Sequence, residues 1–170
     1  MALREVIKLP NPVLRRQAHK VADFGAEFQV LVDDMIDTMR NEPGVGLAAP
    51  QVNISLKLIV VEYPEDDTLE ELAPKLFVVA NPQFMEISDE VVDGVEGCLS
   101  VPNILGQVER SLSVVVSGLD RRGKKQTIKA TGWLARIFQH EIDHLNGVLF
   151  VDRAKELFHP EEIQSTERVQ

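Results

Sequence analysis

The stretch WLARIFQHEIDHL, residues 133–145, combines a helical repeat with the spacing of a metal-binding motif. Residues three or four positions apart lie on the same face of a helix. One such face of this stretch is formed by Leu134, Ile137, His140, Glu141 and His144. Because apolar residues share that face with the polar trio, we expect a helix that carries two histidines and a glutamate on its buried side.

Two histidines one helical turn apart can bind the same metal ion, and a glutamate directly after the first lies beside that ion. Here the pair is His140 and His144, and Glu141 is placed to take a proton from metal-bound water. The alternative is a pair of ordinary core histidines with internal partners. Burying three polar side chains without a shared partner would cost several kcal/mol, which favours a metal site.

A catalytic site of this kind has three protein ligands and one open position, so a third ligand must come from elsewhere in the chain. A metzincin-type protease would place a histidine six residues after the second one, where this chain has Phe150. A thermolysin-like protease would use a downstream glutamate, for which Glu161 or Glu162 is suitably placed. The remaining candidate is Cys98, whose ordinary alternative is a small buried core residue.

A purely structural metal site would fill all four positions with cysteine and histidine. Beyond Cys98 and the histidine pair, the chain offers only His19 and His159 for this role. These residues stand in no recognised ligand pattern. Three classes therefore remain open on the residues alone: a metal-dependent hydrolase that uses Cys98, a zincin-like protease, and a non-enzymatic metal domain.

Length and composition are those of a soluble globular protein. The chain has 170 residues with 44% hydrophobic and 26% charged residues, so we expect a single catalytic domain over residues 1–170. A net charge of -9 argues against a general nucleic-acid surface. The single cysteine excludes an intrachain disulfide. No apolar run approaches the roughly 20 residues of a membrane helix, and the opening residues fit no targeting signal, so we expect a cytoplasmic protein without membrane contact.

Apolar periodicity predicts further elements along the chain. A helix is expected over residues 26–40, and Val- and Ile-rich runs predict strands at 56–63 and 76–84. The acidic segment 64–75 between these strands is expected to be an exposed loop with a short helical turn.

The second half of the chain predicts a hairpin followed by the motif helix. Residues 108–120 and 124–132 flank Arg121, Arg122 and Gly123, which suit a hairpin turn. After residue 154 we expect a short acidic tail that forms one further helix and is flexible at its end. These elements predict an α+β fold in which antiparallel sheets surround a central helix carrying the HExxH sequence.

Three stretches together resemble the motifs of the peptide deformylase family. They are GVGLAAPQ at 44–51, EGCLS at 96–100 and HEIDH at 140–144, in the family's order and with similar separations. The resemblance extends from about Pro10 to Asp152. It implies a metal-dependent hydrolase that removes the formyl group from the N-terminal formyl-methionine of newly made proteins and releases formate.

The resemblance also implies the site residues. It makes Cys98, His140 and His144 the metal ligands, and it has metal-bound hydroxide attack the formyl carbon with Glu141 as general acid/base. The main-chain N–H of Leu99 and the side-chain amide of Gln51 would stabilise the oxyanion.

Substrate contacts are implied in the same way. Val45 and Gly46 would pair with the substrate backbone as an added strand, and Gly97 belongs to the same substrate-binding set. Trp133 and Ile137 would form part of an apolar pocket for the methionine side chain. Independently of the family, the glycines and alanines of GVGLAAPQ predict close approach of another backbone.

The implied cofactor is one divalent metal ion, with Fe²⁺ as the native ion and Zn²⁺, Ni²⁺ or Co²⁺ able to occupy the site. The implied partners are N-formyl-methionyl nascent polypeptides. Association with the ribosome is expected to be weak at most, because the tail after Asp152 is short and acidic where some family members carry a long basic helix.

Overall fold

The computed structural model describes residues 2–163, which form two antiparallel sheets and four helices besides two 3-10 turns. The helices are α1 (Ala26–Asn41), α2 (Trp133–Leu145) and the single-turn helices α3 (Phe150–Arg153) and α4 (Pro160–Ile163). The strands are β1 (Gly46–Ala48), β2 (Leu58–Tyr63), β3 (Lys75–Ile87), β4 (Val91–Cys98), β5 (Val101–Ser111), β6 (Ser113–Leu119), β7 (Lys125–Thr131) and β8 (Glu156–Phe158).

The two sheets differ in size and in the part of the chain that they use. The larger sheet has the order β1-β2-β3-β6-β7 and the smaller one the order β4-β5-β8. Strands β1 and β4 are therefore both edge strands. The α+β architecture with antiparallel sheets around α2, which contacts strands of both sheets, agrees with the predicted fold class.

Strand β2 is covered by helices on both of its faces. Ile59 and Val61 pack in one apolar cluster with α2, whereas Leu58 and Val60 pack in a second cluster with α1. Successive side chains of a strand point to opposite faces, so a strand between two helical layers must be apolar at every position. This explains the run LIVV in the sequence, and it fixes α2 firmly because each fully buried aliphatic side chain contributes about 1.5–3 kcal/mol.

Both long helices were predicted from periodicity, and the structure confirms them. The helix predicted over 26–40 is α1, and the motif helix has the expected bounds. The strands predicted at 56–63 and 76–84 are β2 and β3, with shifted ends. Between them, residues 65–72 are exposed and form turns, without the predicted helical turn.

The predicted hairpin was partly wrong. Strands β6 and β7 pair across residues 120–124, but Val108 and Arg110 belong to β5 in the other sheet. The reason lies at Ser111, whose N–H and C=O both bond the side-chain amide of Gln139, at 3.0 and 2.9 Å. This bonding stabilises the point where the chain passes from one sheet to the other. No local sequence pattern predicts that change of sheet.

Strands β4 and β8 were not predicted. Strand β4 contains two glycines and a buried charge, and β8 has only three residues, so neither shows the usual β pattern. Beyond residue 154, residues 156–158 pair with β5, and the short helix α4 that follows agrees with the further helix predicted there. The rest of that prediction falls on residues 164–170, outside the described part of the chain. Within that part, no helix combines the length and apolarity needed to cross a bilayer.

Candidate metal centre

Two separate elements bring three potential metal ligands together. Cys98 is the last residue of β4 and pairs with Val101 across a tight turn, while His140 and His144 lie on consecutive turns of α2. The ligand atoms of these three residues all lie within 4.8 Å of one another. Cys98 Sγ and His144 Nε2 lie 3.4 Å apart.

The chemistry of these donors suits a divalent cation. Cysteine and histidine are the ligands of zinc and related transition metals, and a three-ligand set leaves a position open for catalysis. Burial holds the pKa of His144 well below its ordinary value, so its ring is neutral, as a ligand must be. Its Nδ1 is buried without a hydrogen-bond partner in the described part of the chain.

His140 is oriented by a carboxylate behind it. Its Nδ1 donates to Glu96 Oε1 at 2.8 Å, which leaves Nε2 as the ring atom available to an ion. Burial alone would lower the pKa of His140, but hydrogen bonds with Cys98 and Glu96 raise it well above its ordinary value. Acidic groups that favour a proton at this position also favour a metal cation there.

Glu96 belongs to a buried network of charges. Arg110 donates to both carboxylate oxygens at 2.9 Å, and Arg136 donates to Oε2 at 2.7 Å. Although burial would raise the pKa of Glu96, the hydrogen bonds from Arg110 and His140 hold it well below its usual range. Arg110 also donates to Asp143 at 2.7 Å. The carboxylate behind His140 is therefore ionised and fixed in position.

Glu141 is only 5% exposed and lines a cavity that Cys98 and His140 also line. Burial raises the pKa of its carboxyl group to about 7. Its Oε1 is buried and has no hydrogen-bond partner among residues 2–163. A Cβ atom added at Gly46 would lie 2.6 Å from Glu141 Oε2, so the glycine makes room for the carboxylate. The predicted close approach at Gly46 is thus to a side chain rather than to another backbone.

Gln51 is held with its amide nitrogen beside Cys98. Its Oε1 accepts the N–H of Ala48 at 2.9 Å, which orients the amide group. Nε2 donates to Ser100 Oγ at 3.2 Å and lies 3.6 Å from Cys98 Sγ. Leu99, directly after Cys98, lines the same cavity. A hydrogen-bond donor is thereby available on the Cys98 side of the centre.

The cavity has a volume of about 410 Å³. Every residue that was predicted to contact substrate lines it. Trp133 is 38% exposed and stacks against the guanidinium of Arg136, with 5.4 Å between the ring centroid and Cζ. Trp133 is therefore a wall of the cavity and not part of the closed core. The predicted contact residues along the cavity are Val45, Gly46, Gly97, Trp133 and Ile137.

Among the side chains that the structure describes, the other ligand candidates lie outside the Cys98 group. Phe150 stacks on the His140 ring at 6.1 Å, and Glu161 is exposed and lies outside the Cys98 group. The side chain of Glu162 is outside the described part of the structure. His19 forms a backbone bridge with Leu56, and His159 bonds the carbonyl of Asn103 at 3.0 Å.

Sequence reasoning missed the residues that support the ligands. Glu96 lies two positions before Cys98 on β4, and Arg136 lies one helical turn before His140. Asp143 is buried and accepts hydrogen bonds from Arg153 at 2.6 Å and from Arg110. Charged residues at inward-facing positions were the available signal. The missed supporting residues are Glu96, Ser100, Arg110, Arg136 and Asp143.

The chain is similar to known proteins in both sequence and structure. The family model described as polypeptide deformylase matches residues 3–159. A peptide deformylase of Agrobacterium fabrum is 43% identical over 157 residues, covering 92% of this chain and 90% of the relative.

Solved structures give the same relationship. A peptide deformylase of Ehrlichia chaffeensis in complex with actinonin has a TM-score of 0.85 and 38% identity, covering 92% of this chain and 91% of that one. A Met-Ala-Ser-bound class I type b peptide deformylase of Acinetobacter baumannii has a TM-score of 0.82 and 39% identity, covering 89% and 98%.

Proposed function

Because the chain belongs to the peptide deformylase family, enzymes that remove the formyl group from N-formyl-methionine peptides, we propose that it does so with Cys98, His140 and His144 as metal ligands and Glu141 as the proton carrier. One observation carries this assignment. The three ligand atoms meet within 4.8 Å at a cavity into which a buried carboxylate also points.

The proposed reaction is hydrolysis of the formamide bond. A divalent ion bound by the three ligands supplies Lewis-acid chemistry and makes water a competent nucleophile near neutral pH. Glu141 takes a proton from the attacking water and gives it to the departing amine nitrogen as the carbon–nitrogen bond breaks. Its burial beside Gly46 shields this carboxyl group from bulk solvent. The products are formate and a peptide with a free N-terminal amine.

Gln51 and Leu99 are proposed to stabilise the negative charge that develops on the formyl oxygen. The Gln51 amide is held by Ala48 and Ser100, so its N–H groups need little reorganisation during the reaction. The main-chain N–H of Leu99 is the second proposed donor. A preorganised donor of this kind is worth about 3 kcal/mol in the transition state.

The substrate is proposed to enter as an extended peptide between two sheet edges. Val45 and Gly46 lie at the β1 edge, and Gly97 lies on the β4 edge, so backbone groups of both sheets border the cavity. Trp133 and Ile137 supply the apolar surface for a methionine side chain. The relative from Acinetobacter baumannii that was solved with Met-Ala-Ser supports a short methionyl peptide as ligand.

We propose Fe²⁺ as the native ion, with Zn²⁺, Ni²⁺ and Co²⁺ able to occupy the site. Affinity order alone does not favour Fe²⁺ over Zn²⁺, so the choice must depend on metal supply and on activity. Metal analysis of protein purified without oxygen tests this proposal. We expect the Fe²⁺ form to lose activity in air as Cys98 is oxidised to sulfinic or sulfonic acid, whereas the Ni²⁺ form survives.

The proposed place of action is the cytoplasm, on nascent chains as they leave the ribosome. Sedimentation with purified ribosomes tests the association, which we expect to be weak because the chain carries a net charge of -9.

The decisive experiment measures formate release from formyl-Met-Ala-Ser by the metal-loaded protein. Acetyl-Met-Ala-Ser and an internal peptide bond serve as control substrates, because a zincin-like protease would cleave the latter. We expect the protein to release formate from formyl-Met-Ala-Ser. It should neither remove the acetyl group from acetyl-Met-Ala-Ser nor cleave the internal peptide bond. Cleavage of the internal bond without formate release would contradict the proposed function.

A further inference from the structure

We propose that Arg136 is a positioning residue of the metal centre, which acts through Glu96 on the ring of His140. The inference rests on the proposed function, since it concerns the ligand set named there. None of the hydrogen bonds of Arg136 goes to the three ligands themselves. Any effect of Arg136 on the ligands must therefore pass through another residue.

The guanidinium of Arg136 joins three elements at one point. On α2 the residue is only 3% exposed, although arginine is among the residues least often buried. Nη1 donates to Glu96 Oε2 at 2.7 Å and to the carbonyl of Val108 on β5 at 2.9 Å. Nη2 donates to the carbonyl of Val92 on β4 at 2.7 Å. The helix that carries both histidines is thus fixed to the strand that carries Cys98.

The link to His140 passes through the two oxygens of one carboxylate. Glu96 Oε1 accepts from His140, and Oε2 accepts from Arg136, while Arg110 bonds both oxygens. Loss of the Arg136 bond removes one of the four hydrogen bonds that hold this carboxylate, so its rotation about the last side-chain bond is less restricted. Such a rotation moves the acceptor of the His140 ring and therefore the direction of its ligand atom.

The guanidinium of Arg136 packs directly against Gly94, where a side chain would occupy its space. A Cβ atom at Gly94 would lie 2.7 Å from Arg136 Cζ and 2.9 Å from its Nε. On α2 itself, the Trp133 ring stacks against the guanidinium. The side chain is therefore confined in position, as a preorganised support requires.

The test compares Arg136→Met and Arg136→Lys with the wild-type protein, each loaded with Co²⁺. Metal affinity is measured by competition with a chelator, the ligand field by the visible absorption of Co²⁺, and kcat and KM by formate release. We expect Arg136→Met to lose about 10- to 100-fold in metal affinity and in kcat, with a smaller change in KM. Lysine keeps the charge and one direction of hydrogen bonding, so Arg136→Lys should recover part of the loss.

Arg153→Met is the matched control. Arg153 also pairs with a carboxylate of the buried network, Asp143, but it makes no bond to Glu96. We expect this variant to keep wild-type metal affinity and absorption. Gly94→Ala is the second variant, because it displaces the guanidinium without removing any charge, and it should reproduce the loss seen with Arg136→Met.

Folded Arg136→Met or Gly94→Ala protein with unchanged affinity, absorption and kcat would overturn the inference, even if its melting temperature fell, because Arg136 would then have only a structural role. If Arg136→Met does not fold, Gly94→Ala decides. A wild-type protein that binds no stoichiometric metal or releases no formate would instead contradict the proposed function. The two failures are therefore distinguishable.

Discussion

At the scale of single residues, the centre depends on polar groups that are buried and individually assigned to one task. Glu141 has an oxygen without a partner in the described structure, whereas Glu96 has all its acceptors occupied. A carboxylate with a free oxygen facing a cavity can exchange protons, and one enclosed by two arginines and a histidine cannot. The two glutamates are therefore not interchangeable.

We predict that Glu141→Gln keeps its metal but loses about 10²- to 10⁴-fold in kcat, because an amide can neither take nor return the proton. Metal content and formate release are measured on the same preparation. Activity within tenfold of the wild type would exclude Glu141 as the proton carrier.

We predict that Cys98→Ala loses tightly bound metal, because one of three ligands is removed. The control is Glu161→Ala, which changes an exposed residue outside the ligand group and should keep stoichiometric metal. Metal analysis after gel filtration compares the two. The reverse pattern would show that the ligand assignment is wrong and that a zincin-like site is present.

At the scale of elements, the active centre requires close contact between the β1 edge and α2. Strand β1 reaches the Glu141 carboxylate at Gly46, where no side chain fits. The neighbouring Gly44 is less restricted, since a Cβ there would lie 3.4 Å from Leu99 Cδ1. Two glycines of one motif thus have different physical requirements.

We predict that Gly46→Ala loses most activity, because its methyl group must displace Glu141 or move the β1 edge. Gly44→Ala is the control and should keep most activity, since its methyl group makes only a tight contact with a movable side chain. Formate release and thermal unfolding are measured for both variants. Equal activity of the two would mean that Glu141 moves freely away from Gly46.

At the scale of the whole molecule, the first residues of the chain are fastened to α1. Asp34 on that helix accepts the N–H of Ala2 at 2.7 Å and Nε of Arg4 at 3.0 Å. The hydrogen bond from Ala2 is the largest cause that lowers the pKa of Asp34, and Arg4 adds to it against the opposing effect of burial. Residues more than thirty positions apart are thereby joined.

We predict that Asp34→Asn makes unfolding less sensitive to acid. Because the folded-state pKa of Asp34 lies below its unfolded value, the carboxylate stabilises the fold above the unfolded pKa of about 3.9, and this stability is lost as pH falls through the folded pKa. Urea unfolding between about pH 6 and 2.5 measures this loss of stability.

The control for Asp34 is Asp33→Asn on the same helix, which removes a partly exposed carboxylate paired with Arg121 at 2.8 Å. Exposed ion pairs contribute little, so this variant should keep the acid sensitivity of the wild type. An Asp34→Asn curve parallel to the wild-type curve would show that Asp34 does not contribute to acid unfolding.

The sequence by itself determined the features that depend on near neighbours. The i, i+4 spacing of His140 and His144 places both rings on one face of α2 wherever that helix packs, and apolar periodicity located both long helices. The three motifs identified the family, and Cys98 was among the ligand candidates before any geometry was known. The predictions of the helices and of the shared face of the two histidines succeed because helix geometry is set by hydrogen bonds between residues four apart.

Only the tertiary structure decided which partners meet across the chain. Glu96 is hydrogen-bonded to His140, forty-four positions away in the sequence. Gln139 bonds the backbone groups of Ser111 at the point where the chain passes from one sheet to the other. A buried charge is tolerable only beside a partner, and the partner's position depends on how two sheets and a helix pack together. No local pattern contains that information, so the sequence could provide the ligand candidates but not the network of charges around them.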